Sequence, residues 1–199
     1  MFDQAQVSSL LMTCRKKATK GKTQKERDLY RDWELAVLLA YYTGQRQSDV
    51  ANLQWENIDL EAETITFIQA KTGKEIVVPI HPKVLGKLKN IPRKNTDVLC
   101  TLSKSSSSGR NGLSGMFARL MKEADIKPKT TAATGKGHAQ NSLSFHSLRH
   151  AFNSHLADQG VDQELRKSLT GHSSTKVNDA YTHMRLTTLR EAVVKLDSV

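Results

Sequence analysis

The densest run of apolar positions along the chain lies between Leu29 and Tyr42, and it predicts a helix that is buried on most of its surface. Gly44 follows two residues later and favours a left-handed helix end at that point. A second amphipathic helix is predicted from Leu113 to Ala124, where apolar residues recur at intervals of three and four. The C-terminus carries a further stripe with helical spacing, formed by Leu186, Leu189, Val193 and Leu196. These patterns predict a mostly helical domain.

One stretch has the period of a strand instead. Residues 63–80, ETITFIQAKTGKEIVVPI, alternate apolar and polar positions on both sides of a Lys-Thr-Gly-Lys turn, which predicts an antiparallel β-hairpin. Two lysines, Lys71 and Lys74, flank this turn. The expected fold class is therefore α+β, mostly α, with a small antiparallel β-hairpin or sheet at one edge.

Weaker patterns lie around these elements. A short helix is predicted from His81 to Leu88, with His81 itself at the surface, and a brief apolar strand at residues 96–102. Residues 1–28 join a short amphipathic pattern to the basic run CRKKATKGKTQKER, and we interpret them as an N-terminal arm or linker. This basic run is either solvated or in contact with nucleic-acid phosphates. The basic stretch 127–142 is either a loop that orders on DNA or a disordered insertion.

The strongly basic composition of the chain indicates which kind of partner it binds. The 199 residues contain 30 Lys and Arg against 20 Asp and Glu, and the resulting net charge of +10 and pI near 9.7 indicate a polyanionic partner. No apolar run approaches the ~18 residues of a membrane span, and the N-terminus lacks the regions of a signal peptide. Cys14 and Cys100 are far apart, so we expect reduced thiols that bind no metal. The expected location is the cytoplasm.

Candidate chemistry is concentrated in residues 145–183. His146 and Arg149 are three residues apart and would share one face of a helix. His172 directly follows the glycine that ends the next predicted helix, and Tyr181 lies nine residues further on. Two histidines, an arginine and a tyrosine supply proton-transfer groups, a fixed cation and a nucleophile, which is a set suited to chemistry at a phosphodiester.

Arg46 is a second candidate cation. It follows Gly44 in a tight turn between two predicted buried helices, and Ser48 is a plausible N-cap for the second helix. An arginine in that position needs a carboxylate or a phosphate to satisfy it. Asp49 either forms a structural ion pair with Arg46 or supports it while it binds a phosphate.

The order and spacing of these residues resemble the tyrosine recombinase (phage integrase) family. The His-x-x-Arg and Leu-x-Gly-His segments and the tyrosine nine residues later match the C-terminal motifs of that family, and residues 43–46, TGQR, resemble its first arginine motif. Lys71 is at the position of the family's hairpin lysine, with Lys74 as the alternative. The similar segments span roughly residues 30 to 195.

The resemblance implies a catalytic domain at residues 29–199 that cleaves and rejoins DNA through a 3′-phosphotyrosyl intermediate. Tyr181 would be the nucleophile, His146 the general base, Lys71 the general acid, and His172 a hydrogen-bond donor to the phosphate. The two arginines would neutralise the scissile phosphate, because a planar guanidinium stays charged and forms paired hydrogen bonds. The implied site comprises Arg46, Asp49, Lys71, Lys74, His146, Arg149, His172 and Tyr181, of which Asp49 supports Arg46, and Lys74, Arg46 and Arg149 also bind DNA.

The same resemblance implies double-stranded DNA as the partner, a homotetramer on paired DNA sites with exchanged C-terminal tails, and a nucleoid-associated protein. The C-terminal stripe could instead fold back on its own core. Neither a cofactor nor a metal is expected, since the phosphotyrosyl bond retains the energy for religation. Family members usually carry a smaller DNA-binding domain before the catalytic one, and no such segment is apparent in this chain.

Three alternatives remain open at this point. A type IB topoisomerase would use a similar site to relax supercoils without paired DNA sites. A DNA-binding protein could keep the fold without the chemistry. His146 and His150, four residues apart on one helix, have zinc-like spacing, but the sequence offers no third ligand.

Overall fold

The computed structural model describes residues 1–71, 73–103, 112–128, 130–131, 140–171 and 182–196. Within these ranges the chain forms eight α-helices, a three-stranded antiparallel sheet and a separate two-stranded pair. The predicted α+β, mostly α class is therefore confirmed. In the described part of the chain, no helix combines the length and the apolar character that crossing a bilayer requires.

Helix α1 (Gln4–Lys20) packs against helix α2 (Gln24–Thr43). A capping box between Asp3 and Gln6 starts α1. Its basic residues lie mostly on the solvent side, while its other face is buried and comprises Val7, Leu10, Leu11, Cys14 and Ala18. Residues 4–20 are thus a packed helix of the core rather than the arm or linker that the sequence predicts, because the helical apolar spacing continues beneath the basic run.

Helix α2 forms the centre of the core, as its apolar pattern predicts. Trp33, Tyr41 and Tyr42 are fully buried on it. The ring of Trp33 lies 5.7 Å from that of Phe117 on helix α5 (Leu113–Glu123), and α2 also packs against helix α6 (His146–Asp158). The helix predicted from Leu113 to Ala124 is therefore confirmed as α5.

The predicted hairpin is present at one edge of the fold. Strands β1 (Ile58–Asp59), β2 (Thr64–Ile68) and β3 (Glu75–Pro79) form an antiparallel sheet in that order. Ile65 is opposite Val78 in the β2–β3 pair, and both side chains are buried. The turn that carries the two candidate lysines therefore projects from the end of β2.

The short helix predicted after the hairpin is helix α4 (Pro82–Lys89). The prediction that His81 lies at the surface is wrong, because this residue is buried. His81 caps α4 by accepting a hydrogen bond at Nδ1 from the backbone N–H of Lys83, at 3.2 Å. Its ring stacks on Tyr42 with 3.9 Å between ring centroids, and the residue is 5% exposed. The aromatic stack explains the burial, because it covers the apolar faces of the imidazole.

The predicted strand at residues 96–102 is also absent from the structure. These residues form turns, apart from one isolated bridge between Gln54 and Asp97. The backbone N–H and Oγ1 of Thr101 donate to Oδ2 of Asp32 at 2.7 and 2.6 Å. A side-chain acceptor on α2 therefore takes the place of a strand partner.

The remaining elements are two helices beside the candidate residues, a short strand pair and the C-terminal helix. Helix α3 is Gln47–Ala51, and β4 (Thr130–Thr131) pairs with β5 (Gln140–Asn141) inside the predicted basic loop. Helix α7 is Gln163–Thr170, and helix α8 is Thr182–Val194. Helix α8 packs against β3 of its own chain, and its buried residues include Leu189, Ala192 and Val193, followed by buried Leu196 just beyond the helix. The C-terminal stripe therefore folds back on its own core.

Candidate active site

The turn at Gly44 positions Arg46, and any other residue at position 44 would be strained. Gly44 ends α2 with φ +65°, in the left-handed region. A Cβ atom at this position would lie 2.4 Å from Cδ1 of Phe152 on α6, so the turn after α2 packs directly against α6. Arg46 then serves as the N-cap residue of α3, and its side chain is 23% exposed. The prediction of Ser48 as the N-cap is wrong, because α3 begins two residues earlier.

Arg149 connects the ends of two helices. It lies on α6, is 4% exposed, and donates from Nη1 to the carbonyl of Gly44 and from Nη2 to the carbonyl of Thr170, both at 2.7 Å. These two bonds fix the plane of the guanidinium and satisfy carbonyl groups that the ends of α2 and α7 would leave unpaired. Arg149 thereby joins the first arginine motif to the segment that precedes His172.

The two arginines lie close enough to repel each other. Burial and the neighbouring charge of Arg46 lower the pKa of Arg149 to about 10, and the carboxylate of Asp49 acts in the opposite direction. The structure brings the two residues into one region, because Arg149 bonds to the carbonyl of Gly44, two residues before Arg46, although Arg46 and Arg149 are 103 positions apart in the sequence.

Asp49 connects Arg46 to the hairpin. Its Oδ2 lies 3.8 Å from Nη1 of Arg46, and its Oδ1 accepts a hydrogen bond from the backbone N–H of Ala70 at 3.1 Å. Among the described residues, neither Nη1 of Arg46 nor Oδ2 of Asp49 has a hydrogen-bond partner, although both atoms are buried. Arg46, Asp49 and Arg149, here called the arginine cluster, hold two guanidinium groups and one carboxylate, so the cluster has an excess of positive charge and an unused donor on Arg46. Such a cluster can bind an anion.

His146 lies at the start of α6, one turn before Arg149. Loss of hydration around its ring lowers its pKa, and His150, Arg149 and Arg46 lower it further. The neutral imidazole, which can accept a proton, is therefore favoured at neutral pH. The ring centroids of His146 and His150 are 4.8 Å apart. Within the described ranges, no three His, Cys, Asp or Glu side chains are grouped so that they could bind a metal.

Two buried glutamines belong to this region and were not identified from the sequence. Nε2 of Gln45 donates to the carbonyl of Leu169 at 2.8 Å, and Nε2 of Gln69 donates to the carbonyl of Thr170 at 3.1 Å. The signal for Gln69 was present, because it continues the inward alternation of Ile65 and Phe67 on β2.

The other candidate residues are only partly located. Lys71 is exposed at the tip of the hairpin, and Lys74 is half-buried on the other side of the turn. Helix α7 ends at Gly171 in the left-handed conformation, as predicted. His172 and Tyr181 lie outside the described residues. The structure thus brings Arg46, Asp49, His146 and Arg149 together and tethers the lysine-bearing turn to them through Ala70.

Comparison with known proteins gives the class of this chain. The chain belongs to the phage integrase family, whose model matches residues 1–187. Tyrosine recombinase XerA of Pyrococcus furiosus is 32% identical over 170 residues, which cover 84% of this chain and 55% of the relative. The chain spans about half the length of the curated relatives it matches.

Solved structures share the fold. The integrase from mycobacterium phage Brujita is similar with a TM-score of 0.62 and 22% identity, over 97% of this chain and 56% of that one. The XerH site-specific recombinase bound to difH substrate, in a pre-cleavage complex, is similar with a TM-score of 0.60 and 20% identity, over 92% of this chain and 52% of that one. The fold is therefore that of tyrosine recombinase catalytic domains.

Proposed function

We propose that this chain is the catalytic part of a site-specific DNA recombinase that cleaves and rejoins DNA through a 3′-phosphotyrosyl intermediate, without metal or ATP. The observation that carries the proposal is the pair of neighbouring arginines, of which Arg149 is buried and Arg46 is partly exposed. Asp49 pairs with Arg46 at 3.8 Å and its charge also acts on Arg149, and Nη1 of Arg46 is buried without a hydrogen-bond partner among the described residues. A phosphodiester would supply the missing negative charge and the missing acceptor.

The arginines would act mainly on the transition state. Attack on phosphorus moves charge onto the non-bridging oxygens, and donors held rigidly before the reaction stabilise that charge without reorganisation. Arg149 is held by two carbonyl bonds, and Arg46 by the turn after Gly44 and by Asp49. Loss of one such donor typically lowers the rate by about 100- to 1,000-fold.

The proton transfers complete the reaction. The Tyr181 hydroxyl would lose its proton to neutral His146 and attack phosphorus, forming a phosphorus–oxygen bond to the tyrosine. The bond from phosphorus to the 5′ oxygen breaks, and Lys71 would donate a proton to that oxygen. His172 would donate a hydrogen bond to a non-bridging oxygen. Asp49 would orient Arg46, and Lys74 would bind the DNA backbone.

The partners follow from the same proposal. A chain with a net charge of +10 is attracted to the phosphates of double-stranded DNA. XerH, which has a similar fold, was solved in complex with its difH substrate. We infer a homotetramer on paired DNA sites, in which helix α8 leaves β3 of its own chain to dock on a neighbouring protomer. A protein with these partners would act in the cytoplasm, on the nucleoid.

Covalent trapping tests the proposal without knowledge of the target site. The full chain is incubated with a pool of duplexes that have randomised centres and a nick close to each possible cleavage position. The short 5′-hydroxyl fragment then diffuses away, so that the covalent intermediate accumulates and can be recovered under denaturing conditions and sequenced.

The expected result is an adduct whose DNA-linked peptide contains Tyr181. Tyr181→Phe should form none, whereas Tyr30→Phe, which removes a hydroxyl bound to Glu123 on another part of the surface, should react as the native protein does. The absence of an adduct from the native chain, or an undiminished adduct from Tyr181→Phe, would reject the proposal. Relaxation of a supercoiled plasmid that lacks the selected site would favour the topoisomerase alternative.

A further inference from the structure

Gln69 is an uncharged polar residue that is completely buried at the base of the lysine-bearing turn. Its backbone N–H donates to the carbonyl of Lys74 at 2.9 Å, and its carbonyl accepts from the N–H of Gly73 at 2.8 Å. Its side-chain Nε2 donates to the carbonyl of Thr170 at 3.1 Å. The backbone of Gln69 therefore closes the turn, while its side chain attaches the turn to the end of α7.

The end of α7 packs closely against both strands of the hairpin, at Gln69 after β2 and at Ile76 on β3. Gly171 has φ +77°, and a Cβ atom there would lie 2.7 Å from Nε2 of Gln69 and 2.2 Å from Cδ1 of Ile76 on β3. The next residue of the turn, Ala70, donates its N–H to Asp49, the carboxylate beside Arg46. The turn is thus held at one point to the α7 end and at an adjacent point to the arginine cluster.

This arrangement gives the exposed Lys71 a fixed base. A lysine side chain has four rotatable bonds and a strongly hydrated ammonium group, so its reach toward a phosphate depends on where its backbone is anchored. Lys71 is two residues from Gln69 and directly follows the tethered Ala70. A displacement of about 1 Å in a reacting group is enough to lower a rate on the order of 100-fold.

We propose that Gln69 is a positioning residue for protonation of the leaving group. Its side-chain amide holds the Lys71 turn in register with α7 and the arginine cluster, so that the lysine ammonium reaches the departing 5′ oxygen. This inference rests on the proposed function, since it assigns a role within the same cleavage step. It differs from a purely structural role, which would affect all parts of the reaction equally.

A change of leaving-group atom distinguishes a positioning role of Gln69 from a purely structural one. In the normal step, the bond between phosphorus and the 5′ oxygen breaks and that oxygen takes a proton from Lys71. If sulfur replaces this oxygen, the phosphorus–sulfur bond breaks instead, and the electron pair remains on a thiolate. A thiol ionises with a pKa of about 8.5, so the sulfur leaves without an acid. Loss or misplacement of the acid therefore slows cleavage of the oxygen substrate and spares the sulfur substrate.

The experiment measures adduct formation by four proteins on a selected duplex and on its 5′-bridging phosphorothiolate counterpart. The proteins are the native chain, Lys71→Ala, Gln69→Met and Gln45→Met. Methionine matches the length of glutamine but cannot donate a hydrogen bond. Gln45→Met is the matched control, because Gln45 also donates a buried amide hydrogen bond to the end of α7 but has no bond to the hairpin among those the structure gives.

We expect Gln69→Met to lose about 10- to 100-fold on the oxygen substrate and to regain most of that loss on the sulfur substrate, as Lys71→Ala does. Gln45→Met should be slowed by the same factor on both. An equal loss on the two substrates for Gln69→Met, an unchanged rate on both, or no sulfur rescue of Lys71→Ala would each overturn the inference. Partial unfolding also lowers both rates equally, so it cannot imitate rescue.

Failure of the proposed function would look different. In that case the native chain forms no adduct with either substrate, and the role of Gln69 falls with it. A native chain that reacts with both substrates supports the proposed function, whatever the Gln69 variant does.

Discussion

Arg149 donates a hydrogen bond from Nη1 to the backbone carbonyl of Gly44, 2.7 Å away, and so links α6 to the end of α2. Its Nη2 makes an equally short bond to the carbonyl of Thr170 at the end of α7. One buried guanidinium therefore holds two helix ends that are far apart in the sequence.

Replacing this residue with lysine keeps the charge and removes the bridge. We expect Arg149→Lys to lower the free energy of unfolding by about 2 kcal/mol, because a single ammonium group cannot reproduce both bonds. The carbonyl of Thr170 still accepts from Gln69, whereas that of Gly44 loses the donor that Arg149 supplies. Urea denaturation measures this change, and DNA adduct formation should fall by about 100-fold or more. Unchanged stability would show that the two carbonyl bonds do not support the fold.

The excess positive charge of the arginine cluster predicts a bound tetrahedral anion. Sulfate should raise the melting temperature of the native protein more than chloride does at the same ionic strength. Binding at the site should add about 1.4 kcal/mol to the free energy of unfolding once sulfate reaches about ten times its dissociation constant. Sulfate also stabilises proteins nonspecifically by exclusion from their surfaces. Arg46→Gln is therefore the control: it should retain only the nonspecific part, and an equal sulfate effect in both proteins would argue against the site.

His81 predicts a pH dependence of stability that is independent of the active site. Burial lowers its pKa to about 4, the charge of Lys83 acts in the same direction, and a hydrogen bond with the backbone of Leu196 opposes the shift. Between pH 4 and 6.5 the unfolded chain binds this proton and the folded chain does not, so stability falls as the pH is lowered through that range. The loss should be up to about 3 kcal/mol.

Urea denaturation at several pH values checks this prediction. His81→Asn should lose this component of the pH dependence, because asparagine can still cap α4 but does not titrate. If the native protein and the variant show the same slope between pH 4 and 6.5, His81 is not the responsible group.

Gly44 and Gly160 provide a matched pair for the packing of the first arginine motif. Both have positive φ values, +65° and +72°, but a Cβ atom at Gly44 would lie 2.4 Å from Phe152, whereas nothing lies within 4 Å of one at Gly160. Gly160→Ala should cost about 1 kcal/mol from backbone strain alone. Gly44→Ala should cost about 2 kcal/mol more, because the aromatic ring must move. Thermal unfolding of both variants measures the difference, and equal losses would contradict the close packing.

Local pattern was sufficient for several elements. The apolar density from Leu29 to Tyr42 predicted α2, and the alternation around the Lys-Thr-Gly-Lys turn predicted the β2–β3 hairpin. Gly44 and Gly171 were correctly expected to end helices, because a left-handed residue is needed where a helix stops and glycine adopts it without strain. These features depend on residues that are close together in the chain.

The errors arose where distant residues decide the outcome. The strand expected at residues 96–102 is replaced by turns because Asp32, far away on α2, accepts two hydrogen bonds from Thr101. His81 is buried because Tyr42 offers a flat ring for it to stack on. In each case a partner from another element outweighs a local preference, and one sequence without a structure does not reveal the partner.

By itself, the sequence determined the class of fold, the identity and order of the candidate site residues, and a positive charge suited to DNA. Helical and strand periods, glycine positions and motif spacing can all be read from the order of residues along the chain. Only the tertiary structure decided that Arg149 bonds to the carbonyl of Gly44 in the first arginine motif, that α8 lies on β3 of its own chain, and that Gln69 joins the hairpin to α7. These relationships depend on the packing of surfaces far apart in sequence, and hydrogen bonds form only where that packing brings donor and acceptor within about 3 Å.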